Sequence, residues 1–141
     1  MAAEPVCVMI IDANAHMRRL LATVLRALAV TEIIGVRTAD AATEMLDEHQ
    51  PHLIVMDWAK DHTEGVLFMH RLRHGEVAHR DIPVLALSRS KHHAVLEQAF
   101  ELGIDDVIAK PVSAMELMEH ASSLIALGLR RRGCLGIEAA E

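Results

Sequence analysis

Apolar residues along this chain fall into two kinds of run. Short uninterrupted runs occur at Val6–Ile11, Ile33–Val36, Leu53–Met56 and Val84–Leu87, and Asp106–Ala109 carries Val107 and Ile108 at its centre. Runs without polar alternation predict strands covered on both faces. Between them the apolar positions recur every three or four residues, the spacing of one helix face. Met17, Leu20, Leu21, Val24, Leu25 and Leu28 form the first such stripe, with Arg18, Arg19 and Arg26 off it. Asn14 is placed to cap that helix. Ala42, Met45 and Leu46 mark a second helix, stopped before Pro51, and Gly65 opens a third through Val66, Met69 and Leu72. Val95, Leu96, Ala99 and Phe100 stripe a fourth, closed by Gly103, and Met115, Leu117, Met118, Ala121, Leu124 and Ile125 give the last.

Strands and helices in strict alternation predict an α/β fold with a parallel sheet and helices on both faces. Right-handed crossovers leave few topologies, and at this length the natural one is a flavodoxin-like, doubly wound, five-stranded parallel sheet of order 2-1-3-4-5. Residues 1–128 are expected to form this single domain. Residues 129–141, with Arg130–Arg132, two Gly and no sustained periodicity, read as a short C-terminal tail, too few for a second domain.

Composition narrows the picture. The chain has 141 residues, 52% hydrophobic, enough for a sizeable core. Aromatics are only Trp58, Phe68 and Phe100, so eight Met and many aliphatic side chains must fill the interior. A net charge of -6 disfavours a general nucleic-acid binder, and no direct DNA binding is expected. Cys7 and Cys134 make neither a metal spacing nor a disulfide framework, which points to a reducing, cytoplasmic setting. The start, MAAEP, has no basic region, and Val6–Ile11 is too short for a signal peptide or a membrane span.

Ligands of open α/β sheets sit beyond the carboxyl ends of the strands, at the point where strand order reverses. The predicted strands end there in Asp12, Asp57, Ser88 and Lys110, the last followed by Pro111. Order 2-1-3-4-5 makes the first and third strands neighbours, so Asp12 and Asp57 should lie close together. Close carboxylates repel unless a cation neutralises them, and Mg²⁺ is a hard ion that takes carboxylates, carbonyls and phosphate oxygens. Lys110 is placed to pair with Asp57 in the empty site and with a phosphoryl oxygen in the filled one, and Ser88 to donate to the same group. The set suits a carboxylate nucleophile that accepts a phosphoryl group. Trp58, directly after Asp57, is expected on the rim of the site.

The pieces "IIDAN" with "MRRLL", "PHLIVMDW", "PVLALS" and "GIDDVIAKP" resemble the receiver domain of the two-component response-regulator family over roughly residues 5 to 127. The resemblance implies a phosphorelay signalling module, not an enzyme. It makes Asp57 the phosphoacceptor, Asp12 and the backbone carbonyl of Ala59 partners of Asp57 in holding Mg²⁺, Ser88 the switch hydroxyl and Lys110 the phosphoryl contact. It also implies a cis Lys110–Pro111 bond. A histidine kinase or phosphotransfer protein would be the donor. The downstream target is expected to be a protein, since no output domain follows in the chain, and a homodimer through the fourth helix, fifth strand and fifth helix is a family possibility.

Four positions depart from that pattern. Ala13 stands where a second acidic residue is usual, so Mg²⁺ binding should be weak. The loop after Asp57 reads "AKDHTEG", without the usual proline before Gly65. Arg89 follows the switch hydroxyl where a small residue is usual, and Val107 replaces an aromatic. These changes favour, as an alternative, a phosphorylation-independent pseudo-receiver acting as an interaction module. A phosphohydrolase of the haloacid-dehalogenase type, which would need an aspartate at Ala59, fits poorly.

Other features have plainer readings. Ser88 is also placed to cap the fourth helix. His70 and His74 have the i, i+4 spacing of zinc ligands, but "HRLRH" lacks the metalloprotease glutamate and an evident third ligand, so a solvated face is expected. His92 and His93 read as surface, Arg130–Arg132 as a soluble helix end, and Cys134 as a free thiol.

Overall fold

The computed structural model of the chain describes residues 5–58, 63–75, 81–90 and 92–140, with side chains as far as residue 132. The elements follow as β1 (Cys7–Ile11), α1 (Ala15–Arg26), β2 (Glu32–Val36), α2 (Ala39–Leu46), β3 (Leu53–Trp58), α3 (Thr63–Arg73), β4 (Val84–Ser88), α4 (His93–Glu101), β5 (Asp106–Ala109) and α5 (Ala114–Ala140). The strands form one parallel sheet in the order β2-β1-β3-β4-β5, the expected doubly wound topology.

Local chemistry sets the element ends. Asn14 Oδ1 accepts the Met17 N–H at 3.0 Å and Thr38 Oγ1 accepts the Ala41 N–H at 3.1 Å, each satisfying a first-turn amide of its helix. Ser113 Oγ does the same for Glu116 at the start of α5, at 3.0 Å. Gly103 adopts φ 96° past the end of α4, a conformation open to glycine but strained for other residues.

Side chains alternate across the strands and build two cores. In β3, Ile54, Met56 and Trp58 face α2 and α3, where Phe68, Met69 and Leu72 meet them. Leu53 and Val55 face the opposite layer, with Leu21 and Leu25 of α1 and Leu117 and Ala121 of α5. Every residue of β1 and β4 is buried, as their unbroken apolar runs require. At the sheet edge that carries the strand carboxyl ends, the polar side chains of Asp12 and Ser88 meet this core.

Two expectations need correction, the place of Trp58 and the solvated reading of Arg131 and Arg132. Trp58 is buried, 2% exposed, not on a rim. β3 runs to Trp58, which pairs with Ser88 of β4, so the two-residue period sends Trp58 to the face of Ile54 and Met56. The expected boundary between residues 128 and 129 falls inside α5, which continues to Ala140. Arg131 and Arg132 are not a bare solvated helix end: Arg131 donates to the Asp81 carbonyl at 2.6 Å, and Arg132 to the Pro51 carbonyl at 2.6 Å.

Candidate functional site

Register brings the two aspartates together. Ile11 of β1 pairs with Met56 of β3, so the next residue on each strand, Asp12 and Asp57, stands side by side across adjacent strands. The Asp12 N–H donates to the Val36 carbonyl at 3.0 Å, which ties this corner to β2. Arg18 of α1 donates to the Asp12 carbonyl at 2.7 Å and holds it from the other side. Asp12 is 5% exposed. Its Oδ1 accepts the Asn14 N–H at 2.8 Å, while Oδ2 is buried with no hydrogen-bond partner among the described residues.

The remaining strand ends converge as the sequence predicts. Lys110 Nζ lies 2.5 Å from Asp57 Oδ1, an ion pair in which the lysine is the more buried member. The Lys110 N–H donates to the Ser88 carbonyl at 2.8 Å, and the Lys110–Pro111 bond is cis, as expected. Asp57 pairs in register with Leu87, which places Ser88 one step beyond it on β4. The Ser88 hydroxyl is buried and turned into its own loop: it donates to the Ser90 carbonyl at 3.2 Å and accepts the Ser90 N–H at 3.1 Å. It does not cap α4, whose cap position is His92.

Asp12, Ala13 and Asp57 open onto a cleft of about 360 Å³, completed by Arg37, Thr38 and Ala39 on the β2 side and by Thr63, Glu64 and Gly65 at the start of α3. A hard divalent cation fits this donor set. The buried Asp12 Oδ2 has no donor of its own, and an uncompensated carboxylate oxygen out of water favours a cation beside it. Ala13 lines the same cleft without a side-chain oxygen to offer, so the set holds one carboxylate fewer than an aspartate there would supply. Ala59, expected to give its carbonyl to the metal, lies outside the described residues, as do Lys60 and Asp61. Chemically, the arrangement can offer the Asp57 carboxylate as a nucleophile, with an ammonium on one oxygen to meet incoming negative charge.

Sequence reasoning missed Arg37, Thr38 and Glu64 as neighbours of this cleft. The signal available for Arg37 was its place one residue past β2, on the same sheet edge as Asp12. Arg89 lines a different feature, an apolar groove shared with Lys110, Pro111 and Met17, Leu20 and Leu21 of α1. Val107 is partly buried against the α2–α3 core. The His70 and His74 rings lie 4.3 Å apart, centroid to centroid, and no group of three potential metal ligands occurs among the described residues. His93 pairs with Glu97 at 2.8 Å on an exposed face. Cys7 is a buried free thiol, and the Cys134 side chain lies outside those described. No described helix is long and apolar enough to cross a membrane.

Comparison with known proteins follows the same lines. One family profile, the response regulator receiver domain, matches residues 8–122. The phosphate regulon transcriptional regulatory protein PhoB of Pseudomonas aeruginosa is 30% identical over 126 residues, which cover 89% of this chain and 52% of that protein. The chain thus spans about half the length of that curated relative, and 37% of the Escherichia coli protein of the same name. A response regulator structure from Chloroflexus aurantiacus superposes with a TM-score of 0.78 at 22% identity, covering 87% of this chain and 99% of that one. The receiver domain of a sensor histidine kinase from Pseudomonas aeruginosa, with a magnesium ion in its active-site cleft, gives a TM-score of 0.74 at 20% identity, covering 87% and 99%. At those identities the two structures speak for the fold alone.

Proposed function

The chain belongs to the response regulator receiver domain family, and from that premise we propose that it accepts a phosphoryl group on Asp57 from a histidine kinase or phosphotransfer protein and signals through protein–protein contacts. The observation that carries this reading is the 2.5 Å ion pair between Lys110 and Asp57 at a cleft whose next carboxylate is the buried Asp12. An Asp57 oxygen bonds to phosphorus as the donor's P–N bond breaks and its histidine recovers the electron pair. Lys110 then turns from the carboxylate to a phosphoryl oxygen, keeping the new charge paired. Asp12, Asp57 and the Ala59 carbonyl are the residues that would hold Mg²⁺, which when bound neutralises phosphoryl oxygens. Ser88 follows by exchanging its Ser90 partners for the phosphoryl group.

The readout would pass to the face of α4, β5 and α5. Among α4 residues only Ala99 is buried, so this helix is held by little and can shift at small cost. The partner there is a downstream protein or a second copy of the chain, in the cytoplasm. Ala13 and Val107 favour a second reading, a pseudo-receiver that works by binding alone.

Incubation with acetyl phosphate and Mg²⁺, read by intact mass, separates the two. The acceptor reading expects a gain of one phosphoryl group that Asp57→Asn abolishes while the melting curve stays cooperative. A wild-type chain that takes no label from acetyl phosphate or from a kinase leaves only the binding module.

A further inference from the structure

Arg37 stands one residue past β2, on the sheet edge that carries the acceptor. β2 lies beside β1 and β1 beside β3, so Arg37, Asp12 and Asp57 follow one another along that edge, and the Asp12–Val36 backbone bond fixes the first step. Neighbouring strands are about 4.8 Å apart, which sets roughly 10 Å between β2 and β3. An arginine side chain spans most of that gap, and a phosphoryl group on Asp57 would extend into the rest.

Arg37 is exposed and makes no hydrogen bond or ion pair among the described residues, although it lines the cleft with Asp12, Asp57 and Glu64. Other arginines are engaged: Arg18 holds the Asp12 carbonyl and Arg73 the Gly103 and Ile82 carbonyls. Across the cleft the unpartnered Oδ2 of Asp12 is buried and negative. Counting side chains among the described residues, three carboxylates (Asp12, Asp57, Glu64) face two cations (Arg37, Lys110), a single excess negative charge. A receiving carboxylate with that little excess charge needs less help from a metal to admit a phosphoryl dianion.

We propose that Arg37 is a phosphoryl-binding residue of this cleft, a cation on the β2 wall that grips the group arriving on Asp57 and takes over part of the neutralisation a divalent metal supplies. This rests on Asp57 being the acceptor. The same cation repels Mg²⁺ from the empty cleft and attracts the phosphoryl group in the filled one, so its removal moves the two affinities in opposite directions. Planar guanidinium donors match phosphoryl oxygens in geometry as well as charge. Because Arg37 is exposed and contacts nothing that holds the fold, its substitution leaves the fold in place.

The test uses the full chain with acetyl phosphate as probe. An Asp57 oxygen bonds to phosphorus as the P–O bond to acetate breaks, and acetate leaves with the electron pair. Labelling of wild type, Arg37→Gln and Arg37→Lys is timed in EDTA and in saturating Mg²⁺. Calorimetry gives the Mg²⁺ affinity of each unlabelled protein. The expected result is slow wild-type labelling in EDTA that Arg37→Gln reduces about tenfold or more, a smaller loss in Mg²⁺, and Mg²⁺ binding several-fold tighter in Arg37→Gln. Arg37→Lys keeps both properties near wild type. Equal labelling of wild type and Arg37→Gln in EDTA overturns the role, and so does wild-type labelling that stops completely without metal; both leave Asp57 as acceptor. A wild-type chain unlabelled in both conditions removes the acceptor reading, and the role of Arg37 falls with it.

Discussion

Cys7 opens β1 with its side chain among the buried residues of the α2–α3 core. Burial pushes its thiol up to about 11, with the Glu32 carboxylate adding to the shift and Arg132 opposing it. An unfolded chain ionises the same thiol near 9.0. Its share of the stability is therefore complete below about pH 9 and is lost as pH rises toward about 11, a cost of roughly 2–3 kcal/mol. With no Tyr in the chain, few other groups titrate there. Urea melts of wild type and Cys7→Ala across this range should converge as pH rises; parallel curves would mean that thiol ionisation does not contribute. Cys7 also illustrates what the sequence makes legible at this scale. Asp12, Asp57, Ser88 and Lys110 could be read because each ends an apolar run, where a polar residue has few structural reasons to be. Trp58 misled because the apolar run ends at Met56 while the strand does not: Asp57 continues β3, and the two-residue period then buries the next side chain.

At the scale of elements, the alternation of periods was enough for all ten, in their order, because each short run and each stripe answers to a burial requirement local to itself. The long α5 answers to a distant one. Its later turns pack against the chain entering β3, and Gly128 approaches so closely that a Cβ there would sit 2.2 Å from the His52 carbonyl oxygen. Arg132 donates to the Pro51 carbonyl and lies 3.0 Å from His52 Nε2, while His52 Nδ1 accepts the Cys7 N–H at 3.1 Å. No periodicity reports contacts between residues some eighty positions apart, so Arg130–Arg132 looked like a solvated helix end. Gly128→Ala separates the two pictures. On a free helix the change would stabilise by about 1 kcal/mol. Against a backbone carbonyl that cannot move aside, overpacking should prevail, with a net loss of about 1–3 kcal/mol in denaturant melts. A stabilised variant would show that α5 is not held against His52.

For the molecule as a whole, the proposed acceptor site weighs carboxylate repulsion against the cations that relieve it, and Ala13 shifts that balance. Asp12 already sits buried beside Asp57, and Lys110 and Arg37 are cations on hand among the described residues. Ala13→Asp adds a third aspartate at the switch point of the sheet. Without metal the added charge repels its neighbours, and the variant should melt lower than wild type by the equivalent of about 0.5–1 kcal/mol. With metal the sign reverses, because a ligand that binds only the folded chain stabilises it in proportion to the logarithm of its concentration over Kd, and a tenfold tighter site gains about 1.4 kcal/mol at saturation. The order of the two melting temperatures should therefore cross between EDTA and millimolar Mg²⁺. Ca²⁺ should do less in the variant if the cleft selects for the smaller ion. If Mg²⁺ raises both proteins equally, the carboxylate missing at Ala13 is not what limits the metal, and the weak point lies in the remaining ligands.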